Sequence, residues 1–136
     1  MAEGQGRSSN QGVKLLYIRD YLHKYTNKEH PKSAKEICEY LATKGIKADR
    51  KTIYNDILRL QVDFQEPIEY NPKKWGYYIT KPQLSRYEIR LLLDSVFKCE
   101  MLTAEETNEI TKKILELINN YDAAALTFEG KQVYDI

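Results

Sequence analysis

Residues 33–64 leave the chain little choice of local structure, because they specify both ends of one helix, a tight turn and the opening of a second helix. Ser33 is followed three residues later by Glu36, a capping box in which hydroxyl and carboxylate each satisfy an orphan amide. Gly45 fits the position just past a helix end, where positive φ is needed. After the turn Gly45-Ile46-Lys47-Ala48, a longer helix opens at Asp49-Arg50-Lys51-Thr52-Ile53-Tyr54-Asn55. Two helices joined in this way have the layout of a helix-turn-helix, whose second helix is presented to a DNA major groove.

That second helix, residues 49–63, has two faces when its residues are placed at 100° steps. Ile53, Ile57, Leu60 and Phe64 fall on one stripe and are expected in the core. Lys51, Thr52, Asn55 and Arg59 fall roughly opposite, with Tyr54 and Leu58 between. The polar face carries the groups that read DNA: Asn bonds adenine bidentately, Arg and Lys reach guanine or phosphate, and Thr bonds a base edge or meets a thymine methyl. Any solvated helix face also carries such residues, so the rest of the chain has to decide between the two readings.

The flanking segments favour the first. Residues 1–11 are Gly, Ser, Asn and Gln without apolar period, and a mobile tail is expected. From about Gly12 to Tyr25, Leu15, Ile18 and Leu22 lie at helical spacing, with Leu16, Tyr21 and Tyr25 widening the stripe of a supporting helix. Asn27, His30 and Pro31 then mark a polar loop. After Phe64 the period changes, and Pro67-Ile68-Glu69-Tyr70 and Gly76-Tyr77-Tyr78-Ile79-Thr80 read as two strands around Asn71-Pro72-Lys73-Lys74-Trp75. A hairpin in this place, residues 68–80, is a wing whose Lys73 and Lys74 are the natural phosphate partners. Trp75 either packs across the hairpin as core, the preferred reading, or lies against sugar and base. The predicted fold is therefore mainly α with a small β-hairpin: a winged helix-turn-helix over residues 12–82, followed by a two-helix dimerisation hairpin.

The second part spans residues 83–121. Ser85 and Glu88 form a capping box opening a helix with Ile89, Leu92, Leu93, Val96 and Phe97 at core spacing. Thr103 and Glu106 form another, opening a helix whose stripe is Thr107, Ile110, Ile114, Leu117, Ile118 and Tyr121. Two helices alone bury little and need another surface. A homodimer is expected, through Ile89, Leu92, Leu93, Val96, Ile110, Ile114 and Leu117, with packing inside one chain as the alternative. Residues 122–136 read as an extended tail or linker, with Leu126-Thr127-Phe128 and Gln132-Val133-Tyr134 as a possible strand pair.

Charge adds to the contrast. Residues 12–82 hold 14 Lys and Arg against 9 Asp and Glu, whereas residues 83–136 hold 6 against 10. A basic front half suits a polyanionic partner. No apolar run approaches a membrane span and no signal-peptide h-region precedes the first helix, so a soluble, cytoplasmic protein is expected. Cys38 and Cys99 sit in apolar helical patterns and read as buried thiols, and His23 and His30 stand isolated; no metal and no cofactor are expected. No Gly-rich phosphate loop, nucleophile elbow or His/carboxylate constellation is present, so an enzyme is not expected.

The residues resemble the N-terminal winged-helix region of bacterial WYL-domain transcriptional regulators, related to the DeoR-type helix-turn-helix. The resemblance is carried by Lys14-Leu15-Leu16-Tyr17-Ile18, Ser33-Ala34-Lys35-Glu36-Ile37, Asp49-Arg50-Lys51-Thr52-Ile53-Tyr54-Asn55-Asp56-Ile57, the wing ending Gly76-Tyr77-Tyr78-Ile79, and the helical hairpin from Glu88 to Leu117. It implies a sequence-specific regulator of double-stranded DNA that dimerises through the helices after the wing. Its DNA-facing positions correspond to Arg50, Lys51, Thr52, Tyr54 and Asn55, and Ser33, Lys35, Arg59, Lys73 and Lys74 complete the candidate set. Asn55 departs from the basic residue often found there, which shifts preference toward adenine. The family's C-terminal WYL domain has no counterpart in these residues, leaving a fragment of a longer regulator or a self-standing short form. The alternative function is a winged helix that docks proteins, which Arg50, Lys51 and Arg59 disfavour.

Overall fold

Helix α1 runs Ala2–Tyr25 and is followed by α2 (Ala34–Thr43), α3 (Arg50–Val62), strands β1 (Ile68–Asn71) and β2 (Gly76–Ile79), and helices α4 (Arg86–Phe97), α5 (Ala104–Leu115) and α6 (Asn120–Val133). These assignments come from a computed structural model that describes the backbone of residues 2–133 and the side chains of residues 11–126. The protein is thus mainly helical with one two-stranded antiparallel hairpin. It divides into two units, Met1–Thr80 and Lys81–Ile136.

In the first unit the expected helix ends are present atom by atom. The Ser33 hydroxyl accepts the Glu36 amide at 3.1 Å and the Glu36 carboxylate accepts the Ser33 amide at 3.2 Å. At the other end Ile46 N–H reaches the Leu41 carbonyl and Gly45 N–H that of Ala42, both at 3.0 Å, with Gly45 at φ 77°. This is a Schellman closure, and its flanking residues Leu41 and Ile46 are both buried. The sequence reading did not use Asp49 as a cap, yet its carboxylate accepts the Thr52 amide at 2.8 Å and starts α3.

The core of this unit joins Leu15, Ile18 and Leu22 of α1, Ile37 and Leu41 of α2, Ile53, Ile57 and Leu60 of α3, and Ile68 and Ile79 of the hairpin. Strand register pairs Ile68 with Ile79 and Tyr70 with Tyr77, so one face of the hairpin closes over the helices. Thr26, fully buried, fastens it: its hydroxyl donates to Leu22 O and accepts Ile79 N–H at 3.1 Å. Lys32 adds a further bridge, exchanging backbone hydrogen bonds of 2.8 and 2.7 Å with Tyr77.

Polar groups also tie the unit together. Lys14 Nζ lies 2.7 Å from Asp56 Oδ2, with the two side chains 8% and 4% exposed, and Gln11 donates to Asp56 Oδ1 at 2.9 Å. Oδ2 has no well-aligned hydrogen bond, so charge attraction holds this pair of α1 and α3 together. Glu66 accepts from Arg19 at 2.7 Å and lies 2.6 Å from His23 Nε2. Burial alone would raise its pKa, but the hydrogen bonds and charges of His23 and Arg19 outweigh that and hold the carboxyl below its ordinary value. His23, isolated in sequence, is therefore engaged in space.

Several expectations are corrected. Phe64 is exposed rather than core, because α3 ends at Val62 and Gln65, at φ 51°, turns the chain away. Leu16 is exposed, on the far side of α1 from Ile18 and Leu22. Cys99 is exposed just past α4 and Cys38 only half-buried, so neither is the buried thiol foreseen. Burial, then the nearby Asp49 charge, raises the Cys38 pKa. The first helix does not wait for Gly12 but is helical from Ala2, since each residue added to an existing helix gains a hydrogen bond without a new nucleation cost.

In the second unit both foreseen capping boxes form, at Ser85/Glu88 and Thr103/Glu106. The second helix stops at Leu115 instead of continuing to Tyr121. Asn119 then accepts the Asp122 amide at 3.0 Å and donates to its carboxylate at 2.7 Å, opening α6. Residues expected as an extended tail are thus helical to Val133, helped by the run Ala123-Ala124-Ala125, which has the highest helix propensity. Tyr134, at the end of the expected strand pair, lies outside the described residues. Ile89, Leu93, Ile118 and Leu126 form the core here, with Leu84, Ile114, Leu115 and Ala123 against it.

Candidate nucleic-acid interface

The surface to be tested is the side of α3 opposite Ile53, Ile57 and Leu60. Arg50, Lys51, Tyr54, Asn55, Leu58 and Arg59 are all exposed on it. The face is displayed because the capping residues fix where the helix begins and the buried stripe fixes its rotation about its own axis. An Asn or Arg projecting from such a helix can offer paired hydrogen bonds to a planar partner.

Not every candidate is equally available. Thr52 is partly buried and its hydroxyl donates to Asp49 O at 2.9 Å, which makes it a capping group. The Asp49 carboxyl is held below its usual range, chiefly by accepting the Thr52 backbone N–H, and its charge sits at the positive end of α3. Ser33 is likewise spent on Glu36, while Lys35, at the start of α2, is exposed. Arg59 lies 3.6 Å from Asp63, one turn on, an exposed pair that is readily exchanged for another anion.

At the hairpin, Asn71 Oδ1 accepts the amides of Lys73 and Lys74 at 3.0 and 3.2 Å and so shapes the tip. Lys73 is exposed, whereas Lys74 donates to Glu29 O at 2.9 Å and lies 3.6 Å from the Glu29 carboxylate. Trp75, preferred as core from sequence, is 73% exposed. Gly76 is buried against the chain, and a Cβ there would sit 2.8 Å from the Lys32 backbone.

Sequence reasoning missed how α3 meets the hairpin. Tyr77 lies between Tyr54 and Tyr70, with ring centroids 6.4 and 5.0 Å away, so aromatic rings run from the exposed face of α3 onto β1. Burial, then its neighbours Tyr54 and Tyr70, raises the Tyr77 pKa. The cross-strand pair was legible from the hairpin register, but the link to Tyr54 was not, since it depends on how the hairpin docks. No family model, curated protein or solved structure matches this chain. The resemblance to WYL-type regulators is therefore carried by the quoted motifs alone.

The expected dimer residues fall into two groups. Ile89 and Leu93 are buried in the second unit's own core, and Val96, Ile110 and Ile114 are partly buried. Leu92 and Leu117 are exposed, as are Tyr87, Leu91, Phe97 and Met101, which lie in the same expected dimer stretch from Tyr87 to Tyr121. Among the described residues no cluster of His, Cys, Asp or Glu could hold a metal ion, and no helix is long and apolar enough to cross a membrane.

Proposed function

We propose that the chain is a winged helix-turn-helix that binds double-stranded DNA sequence-specifically as a transcriptional regulator of the WYL type. In this reading α3 enters the major groove, the β1–β2 hairpin is the wing on the adjoining backbone, and two copies associate through the second unit. The observation that carries it is the free polar side of α3: Arg50, Lys51 and Asn55 are exposed together at the helix's first turns, where recognition helices meet base edges. Lys35 and Lys73 are exposed on the neighbouring elements and suit phosphate contacts, while Asn55 and Lys51 suit bases. Thr52 and Ser33 act through the capping they perform.

The association of two copies draws on the exposed Tyr87, Leu91, Leu92, Met101 and Leu117. Ile89 and Leu93 support that surface from inside. Two copies bound to one duplex would read two half-sites and multiply specificity.

The test is enrichment of random duplexes on the purified protein over a salt series. A shared motif should emerge, and Asn55→Ala should weaken the enriched site by about 1–3 kcal/mol while leaving random duplex binding unchanged. Equal losses on both would remove Asn55 from base reading, and no enrichment at any salt would remove the function. A second reading, a winged helix that docks a protein, is favoured by Leu58, Val62 and Phe64, which are exposed along the far part of α3 and just beyond it.

A further inference from the structure

We propose that Trp75 is a minor-groove probe at the hairpin tip, an indole that lies against the sugar and base edges beside each major-groove site and favours A·T pairs there. The inference rests on the duplex-binding reading above and adds a residue and a base preference to it.

Trp75 occupies a position that the fold fills at a cost. Its backbone is at φ 57°, the left-handed region where a Cβ is crowded and where Gly or Asn is the usual choice. The indole recovers nothing by burial, being 73% exposed. A large aromatic side chain held in strained backbone and pointed at water is the combination expected of a contact residue, and strain of this kind persists where surrounding structure over-determines it. That surrounding structure is present. Asn71 closes the tip through the Lys73 and Lys74 amides and donates to Lys28 O at 3.1 Å, and Lys74 Nζ donates to Glu29 O. The next residue, Gly76, lies so close to the Lys32 main chain that an added Cβ would come within 2.8 Å of it, and Tyr77 is hydrogen-bonded to Lys32 in both directions. The indole is thus carried on a braced turn.

Its neighbours select the partner. Lys28 and Lys73 are exposed and Lys74, paired with Glu29, completes a basic rim, so a polyanion is drawn to this tip. An apolar wedge on a basic hairpin suits the narrow groove of a duplex, where apolar side chains lie against or between base steps. The indole N–H is a donor only. An A·T pair offers only acceptors in that groove, whereas a G·C pair adds a competing donor, so the preference should run toward A·T.

The sequence holds one tryptophan, so its emission reports on this residue alone. The full chain would be titrated at low salt with short A·T-rich and G·C-rich duplexes, with binding followed by anisotropy of a dye on the DNA and Trp75 followed by emission and acrylamide quenching. Bound A·T-rich duplex should shield Trp75 from acrylamide and alter its emission. Trp75→Gly, which relieves the backbone strain, should keep or raise the melting temperature yet lose roughly fivefold to a hundredfold in affinity, the size of one lost aromatic contact. Trp75→Phe should keep most of the affinity and lose the A·T preference. If anisotropy reports binding while Trp75 stays fully open to acrylamide, or if Trp75→Gly binds as tightly as the parent, the probe role is overturned and the reading of α3 stands. If no duplex raises the anisotropy, the DNA-binding reading itself falls, and this inference with it.

Discussion

Met1–Thr80 and Lys81–Ile136 solve the burial problem to different extents. The first unit buries a cluster of twelve apolar residues drawn from three helices, the turn at Ile46 and the hairpin, reinforced by the Lys14–Asp56 pair and by Thr26. The second buries a cluster of four among the described residues and leaves Tyr87, Leu91, Leu92, Phe97, Met101 and Leu117 exposed, with Met101 at 91%. At roughly 1.5–3 kcal/mol per fully buried large apolar side chain, the first cluster outweighs the second several-fold. The lesson is that the two units differ in self-sufficiency: the first closes a large core even though it too leaves Leu58, Val62, Phe64 and Trp75 exposed, whereas the second has only a modest core beneath its exposed apolar residues. On the proposed reading, the first is therefore the rigid presenter and the second the part that gains from a partner copy.

The sharpest way to break this contrast is at the buried ion pair. Asp56→Ala should cost about 3–5 kcal/mol, because it leaves the Lys14 ammonium without its counter-charge inside the first unit. Chemical denaturation should show that loss, and pairing it with Lys14→Met should recover much of it. A loss below about 1 kcal/mol would mean that water reaches the pair and that the first unit is less closed than described.

Next comes the second unit. Leu93→Ala should cost about 2–5 kcal/mol by opening a cavity in a small core. Leu92→Glu, on the exposed side of the same helix, should leave the helix content intact and, on the proposed association of two copies, lower the sedimentation mass to that of a monomer. Should the mass stay fixed while Leu93→Ala still unfolds the unit, the apolar surface serves something other than a second copy.

A smaller effect is expected at the hairpin. Gly76→Ala should cost about 1–3 kcal/mol, because its Cβ meets main-chain atoms of Lys32 that have no rotamer through which to escape. A melting temperature equal to the parent's would show that the hairpin can lift off Lys32.

The smallest effect concerns acid. Glu66 has its carboxyl held below the ordinary value, so it lends stability that is complete above the unfolded value of about 4.3 and fades as pH falls through the folded one. Glu66→Gln should flatten the acid limb of the stability curve of the first unit without moving that of the second, measured by denaturation between neutral pH and the acid range.

How much of this was legible in advance varies with the range of the interaction. The helix ends at Ser33, Gly45, Ser85 and Thr103 were readable because each cap is written within about three residues. The rotation of α3 was readable from Ile53, Ile57 and Leu60, and with it the exposure of Lys51 and Asn55. Phe64 failed because periodicity does not say where a helix stops, and α6 was missed because Asn119 and the alanines carry a helix signal without an apolar stripe. Within the candidate site, the commitment of Thr52 to Asp49 was open to a reader who treated Asp49 as a cap.

By itself, then, the sequence determined the order of the elements, most of their ends and the polar side of α3, since these follow from local hydrogen bonding and from the period of apolar residues. Only the tertiary structure decided that Lys14 finds Asp56, that Glu66 gathers Arg19 and His23, that Tyr77 bridges Tyr54 and Tyr70, and that Trp75 faces water. The physical reason is that most of these partners lie 20 or more residues apart, and no local preference encodes which distant group will arrive when the hairpin and helices pack.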